Sequence, residues 1–202
     1  MYACDYLENG VLNVLRGVTF TAPAKVYLAL YLNDPGEDGA SGTEVSYAGY
    51  KRVEIDFSAP ADTNGGIGVQ NITDLTFPNP VAAAGTITHI GIVDSLTGGN
   101  MLCRGELTEP LVIGADEPPV FLAGDVLFYL TGNLSKAWKS KVLNILRGQS
   151  IQGKVNRNDR PYGGFCVPRH YGENRPGLYD RIRGRDRVLF RDAVAENPGR
   201  RR

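Results

Sequence analysis

The chain has 202 residues, 42% of them hydrophobic, with 22 basic and 22 acidic side chains. That is enough chain and apolar content for one well-cored domain with an extension, and it argues against wholesale disorder. No run of 18 apolar residues occurs, so no segment reads as a membrane-spanning helix.

The opening "MYACDYLENG" lacks the basic and apolar regions of a secretory leader, which predicts maturation in a cytosol. The zero net charge divides into two opposite parts. From Arg147 onward there are 14 Lys+Arg and 6 Asp+Glu, a balance of +8; the first 146 residues balance at −8. Blocks of opposite sign predict different tasks, and they attract each other between copies.

In chain order, "DYLENGVLNVLRG" predicts a short amphipathic helix within residues 1–17. Asp5 is the expected N-cap, Glu8 completes a capping box, Gly17 ends the helix, and Gly10 weakens it. Val11, Leu12, Val14 and Leu15 are expected to seat it on the body. "KVYLALYLN" (25–33) reads as a strand of strong β-formers, followed by the turn-rich loop 34–46. "YKRVEIDF" (50–57) alternates, which predicts a half-buried strand with Lys51, Val53, Ile55 and Phe57 on one face. "ADTNGGIGVQNI" gives a turn and a short strand, and "LTFPNP" gives a brief one. "TITHIGIVD" (86–94) and "NMLCRGEL" (100–107) flank "SLTGG" as a hairpin. The stretch 109–132 supplies at least two more strands. The fold class is mainly β: short strands spaced by turns, without βαβ alternation, point to a β-sandwich or closed barrel, and an antiparallel β-sandwich over 18–132 is the adopted reading.

After Gly132 the texture changes. "LSKAWKSKVLNILRG" predicts a second helix near 135–147 within residues 133–148, with Ser135 as a candidate N-cap and Trp138, Val142, Ile145 and Leu146 as its anchors. Residues 149–202 are rich in Arg and Pro with scattered aromatics, and read as a basic extended arm. Residues 11–17, "VLNVLRG", and 142–148, "VLNILRG", differ at one letter. The stretches after the two glycines are unlike each other, so a duplicated domain is not indicated. Two readings remain: coincidence between helices, or mimicry, in which the second helix occupies on a neighbouring subunit the groove that the first fills at home.

No reactive constellation stands out. His89 and His170 are the only histidines, and His89 lies mid-strand without a nucleophile motif. "NGGIGV" lacks the spacing and setting of a dinucleotide loop. "DPGEDG" (34–39) departs from the EF-hand pattern and reads as a solvated loop. Cys4, Cys103 and Cys166 form no CxxC pair; reduced, partly buried thiols are the adopted reading and inter-chain thiols the alternative. No cofactor or metal is implied. Glycan hydrolysis would need close acids such as Asp56 and Asp94, with nothing in the sequence to bring them together. In the arm, Tyr162, Phe165, Tyr171, Tyr179, Leu189 and Phe190 are the expected docking contacts. Arg181, Arg183, Arg185 and Arg187 are their electrostatic partners. Acids interrupt the positive run, which favours a protein partner over nucleic acid.

The segments "YLENGVLNVLRGVTFTAPAKVYLALYLNDP", "GTEVSYAGYKRVEIDF" and "LTFPNPVAAAGTITHIGIVDSLTGGNMLCRGEL", continuing to "VLFYL", together resemble a structural module of tailed bacteriophages, the tail-fibre-like or minor tail proteins. The resemblance covers about residues 6–131. It implies a non-enzymatic virion component made in the host cytoplasm, with an all-β body and other virion proteins and copies of itself as partners. It leaves the position open among neck or collar, tail and capsid surface. The added residues 132–202 suggest an arm that staples the module into a ring or shell. The alternatives are a receptor- or glycan-binding fibre module, which predicts exposed aromatics on loops such as 34–48, and a capsid component whose arm contacts nucleic acid.

Overall fold

The residues with the strongest β preference build the larger sheet. In the computed structural model, which describes residues 2–63 and 66–153, five strands pair antiparallel: β1 (Tyr2–Ala3), β2 (Tyr27–Tyr31), β3 (Val53–Glu54), β7 (Gly85–Val93) and β8 (Met101–Ile113). Their order across the sheet is β1-β8-β7-β2-β3. The strand β2 is covered on both faces. Leu28 and Leu30 enter the main core, while Ala29 and Tyr31 join a smaller cluster with Cys4, Val93 and Met101. That double burial explains why "YLALY" is apolar throughout instead of alternating.

Two smaller sheets complete the body. β4 (Ala61–Thr63), β5 (Gly66–Gln70) and β10 (Leu127–Leu130) lie in the order β10-β5-β4, and β6 (Leu75–Thr76) pairs with β9 (Val120–Phe121). Ile67, Val69 and Phe128 of one, and Leu75 and Phe121 of the other, share a single core with Leu28, Leu30, Ile87, Ile92 and Leu102 of the large sheet. The expected antiparallel, mainly β architecture is therefore present. The predicted hairpin of 86–94 and 100–107 is β7 and β8, closed by Asp94, whose carboxylate accepts from the Asn100 backbone N–H at 2.7 Å and side-chain amide at 2.8 Å. The alternation at 50–57 places Ile55 and Phe57 inward, at 2% and 5% exposure, although only Val53–Glu54 join a ladder.

Two polar knots hold the loops. Asn71 is 1% exposed, and its side chain makes four hydrogen bonds. Its amide donates to the Thr73 and Leu122 carbonyls, and its oxygen accepts from Gly124 and Val126 N–H. Every polar atom of the side chain is thereby used, as a buried amide requires. Arg52 lays a two-pronged contact on Glu44, with Nε and Nη2 each at 2.8 Å from a carboxylate oxygen. Its Nη1 donates to the carbonyls of Ser95 at 2.7 Å and Gly98 at 2.6 Å. One guanidinium thus ties the loop after β2 to the β7–β8 turn.

The first helix, α1 (Asp5–Leu15), follows β1 directly. Its N-cap is Cys4, not Asp5, and no side chain caps it, so the expected capping box is absent. The reason is tertiary: the Cys4 N–H is committed to the Leu102 carbonyl at 2.9 Å, which fixes where the helix can begin. At about 100° per residue, Leu7, Gly10, Val11 and Val14 share one arc, and this is the face turned to the core. Leu12 and Leu15, expected to seat the helix, instead stand 59% and 54% exposed, because they fall about 140° and 80° away from Leu7.

Gly10 is the point of closest approach. A β-carbon there would fall inside the Phe20 ring, which also meets Tyr6 edge-on at 5.8 Å. Gly10→Ala should therefore reverse the usual helix preference. Instead of a gain, a loss of about 1–3 kcal/mol is expected from overpacking, read as a lowered midpoint in urea denaturation. A midpoint at or above that of the parent protein would contradict this contact.

Candidate functional site

The repeated heptapeptide encodes one device used twice. α1 ends at Leu15 with Arg16 as its C-cap, and Gly17 takes the left-handed conformation at φ +89°. The Gly17 N–H donates to the Val14 carbonyl at 3.0 Å, and the Val18 N–H to the Asn13 carbonyl at 3.1 Å. α2 (Lys136–Leu143) runs into a 3₁₀ turn, Asn144–Arg147, and Gly148 is left-handed at φ +76°. There the Gly148 N–H donates to Ile145 at 3.0 Å and the Gln149 N–H to Asn144 at 2.9 Å. These are the two bonds of a Schellman cap, made at identical positions of both repeats. The side chains repeat as well: Arg16 donates to Asn13 Oδ1 at 3.2 Å, and Arg147 to Asn144 Oδ1 at 2.8 Å.

The equivalence continues past the glycine, where the letters no longer match. Phe20 and Ile151, each three residues beyond its cap, exchange backbone hydrogen bonds at 2.9 Å in both directions. The Ala22 N–H donates to Ser150 Oγ at 2.9 Å, and the Gly153 N–H to Thr19 Oγ1 at 3.1 Å. Thr19 corresponds to Ser150, Phe20 to Ile151 and Ala22 to Gly153, all offset by the same 131 positions. The two capped segments thus face each other about a local two-fold, within one chain. A comparison by side-chain chemistry (hydroxyl, large apolar, small) would have extended the repeat; a comparison by letters stops at the glycine.

This arrangement removes the mimicry reading, since the second helix fills a groove of its own chain. Trp138, Val142, Leu143, Ile145 and Leu146 are all at or below 6% exposure and belong to the main core. Ser135 is the N-cap of α2, its hydroxyl accepting from the Trp138 N–H at 3.3 Å. Val11 is half-buried and Val14 fully buried in α1. Val142 and Ile145 correspond to Val11 and Val14; Leu143 and Leu146 correspond to Leu12 and Leu15. The second repeat buries both pairs and the first buries one. A cleft of about 240 Å³ beside the second cap is lined by Lys25, Glu54, Asp56, Ile72 and Arg147. Lys25 is paired with Glu54 at 2.7 Å, and Arg147 donates to the Phe57 carbonyl at 3.3 Å.

The other candidate residues are scattered over the body. Cys4 and Cys103 are free thiols at 1% and 0% exposure. Burial pushes the Cys4 thiol up to about 12 and that of Cys103 well above its usual value. His89 sits in β7 beside the Thr88 hydroxyl, 2.8 Å from Nδ1. Asp34 accepts from the Gly36 N–H and from Arg104, contacts that hold its carboxyl below the usual range. Asp94 is occupied by Asn100. Among the described residues, no group of three or more His, Cys, Asp or Glu converges as a metal site. Cys166, His170 and the arm residues Tyr162, Phe165, Tyr171, Tyr179, Arg181, Arg183, Arg185, Arg187, Leu189 and Phe190 lie outside the described residues.

A family model described as podophage GP4 fiber I protein gp80 matches residues 2–128. No curated protein matches the chain. The match takes in α1, the first cap and the sheets up to the middle of β10, and stops before α2 and the second cap.

Gly17→Ala and Gly148→Ala should each lower stability by about 1–2 kcal/mol, because alanine resists the left-handed conformation. Thermal unfolding of the two variants measures this, and a loss confined to one of them would break the equivalence of the caps. Thiol labelling gives a second check. At pH 8 the native protein should leave Cys4 and Cys103 unmodified, and both should react once it is unfolded in guanidinium. The raised folded-state value also has a sign. The neutral buried thiol supports the fold fully below its unfolded value of 9.0, and this support is lost as pH rises from there toward about 12.

Proposed function

Since the chain belongs to the podophage GP4 fiber I protein gp80 family, we propose that it is a non-enzymatic structural part of a phage virion whose copies join into a repeated ring or shell through the basic segment 149–202. The observation that carries the reading is the separation of charge along the chain. The body up to Leu146 balances at −8 and the remainder at +8. A positive segment on an acidic body is drawn to its neighbours, and weak contacts multiply when many copies assemble. A closed ring needs only one kind of interface, repeated. In this reading the aromatic and arginine residues of 162–190 contact adjacent subunits at the neck, collar, tail or capsid surface.

The family's description as a fibre protein favours a second reading, a module that binds a receptor or glycan. The loop expected to serve it offers little for stacking. Residues 34–48 contain one aromatic, Tyr47, and its hydroxyl donates to the Pro78 carbonyl at 2.7 Å. Its ring meets Tyr50 edge-on at 5.3 Å, which ties it to the body.

The full chain carrying Arg181→Ala, Arg183→Ala, Arg185→Ala and Arg187→Ala should assemble less well than the parent. Assembly of the parent should weaken steeply as salt rises from about 0.05 to about 0.5 M, since the attraction is screened. Light scattering after size exclusion reads both. Unchanged oligomers in the quadruple variant, at every salt concentration, would overturn the role given to the segment.

A further inference from the structure

The chain leaves the described body at a defined place, the C-terminal end of α1. A β-carbon on Gly153 would overlap the backbone of Gly17 and Val18, and its N–H is bound to Thr19. From that point an apolar strip climbs the outer flank of α1: Val18, Leu15 and Leu12, at 55%, 54% and 59% exposure. One helical step further the strip turns acidic, with Glu8 and then Asp5. Glu37 adjoins them, its carbonyl accepting from the Asp5 N–H at 3.0 Å. The equivalent leucines of the second repeat, Leu143 and Leu146, are covered to 0% and 3% exposure. The same motif therefore has its leucine face covered once and open once.

Forty-nine residues follow Gly153, with 13 Lys+Arg against 6 Asp+Glu. They begin "KVNRNDR", an apolar Val155 followed by Arg157 and Arg160. From Gly153 to Arg157 an extended chain spans about 13 Å. From Leu15 to Glu8 the helix rises about 10 Å. Val155 can thus lie over Leu15 and Leu12 while Arg157 reaches Glu8, apolar on apolar and positive on negative.

We propose that residues 154–160 lie along the Val18–Leu15–Leu12–Glu8 strip of α1 in their own chain. This deepens the assembly reading above and rests on it for what residues beyond 160 do. The strip acts as a cradle for the first residues of the segment. A covered strip also accounts for three aliphatic side chains that would otherwise sit together in water.

The test uses the full chain with Cys166→Ser, Leu12→Cys and Val155→Cys, oxidised with diamide at low protein concentration. The expected product is a disulfide between positions 12 and 155 within one chain, of monomer mass. Adding Glu8→Arg should slow its formation about two- to fivefold, and Arg157→Glu should restore it, as for an exposed ion pair. A mixture of the two single-thiol variants should give little dimer. Dimers in that mixture without the intrachain product would show a neighbour's segment on the strip and overturn the proposal. Equal cross-linking of position 155 to Val81→Cys, exposed elsewhere on the body, would overturn it too. Lost oligomerisation with the intrachain disulfide intact would sink the ring reading and leave this one standing.

Discussion

The body depends on the closure made where its two capped helices meet. Phe20 and Ile151 exchange two backbone hydrogen bonds and are both buried at 7% exposure. Each buried side chain of this size is worth about 1.5–3 kcal/mol. Through this bridge α2 and its 3₁₀ turn are drawn onto the sheet carrying β5, and Leu143 and Ile145 complete the core. Without the closure, Phe57, Ile67 and Val69 would lose neighbours, and Phe20 would lose the strand-like backbone that presses it against Gly10.

The closure is also economical in sequence. A helix ended by Asn, two apolar residues, Arg and left-handed Gly turns the chain in a fixed direction. Two copies of that turn, each leading into a hydroxyl and a large apolar residue, are self-complementary. Each hydroxyl accepts the N–H that the other segment would otherwise leave unpaired, and each large residue sits where the other's backbone needs a partner. A local two-fold of this kind arises without duplication of a whole domain. The strands after Phe20 have no counterpart after Ile151 among the described residues.

The polar interior serves the same end. Asn71 and Arg52 each satisfy several backbone carbonyls or amides from loops far apart in sequence, so irregular segments between short strands are fixed by single side chains. A body built this way places its exposed charges on loops and helix flanks. Asp5, Glu8 and Glu37 gather at one end of α1, and the positive segment begins at the other. The family match, which spans residues 2–128, takes in α1, the first cap and the sheets as the shared part. The helix that seals them and the basic residues after it lie beyond the match.

Local patterns were legible in the sequence because their causes are local. β-branched and aromatic runs gave the strands, the glycine after the first helical run gave its cap, and Ser135 gave the start of α2, since each depends on neighbours within a few residues. Alternation at 50–57 placed Ile55 and Phe57 inward, but Lys51, expected on the same face, is exposed, and Tyr50, expected on the other, packs on the core against Phe77. The start of α1 at Cys4, the exposure of Leu12 and Leu15, and the pairing of the two repeats were not legible. Each is set by contacts between segments far apart in the chain or by the choice between two apolar faces of one helix. The sequence by itself determined that one seven-residue stretch recurs with a single change and that charge is split along the chain. Only the tertiary structure decided that the caps face each other, because complementarity of hydroxyl, ring and small residue depends on position in space and leaves no match in letters.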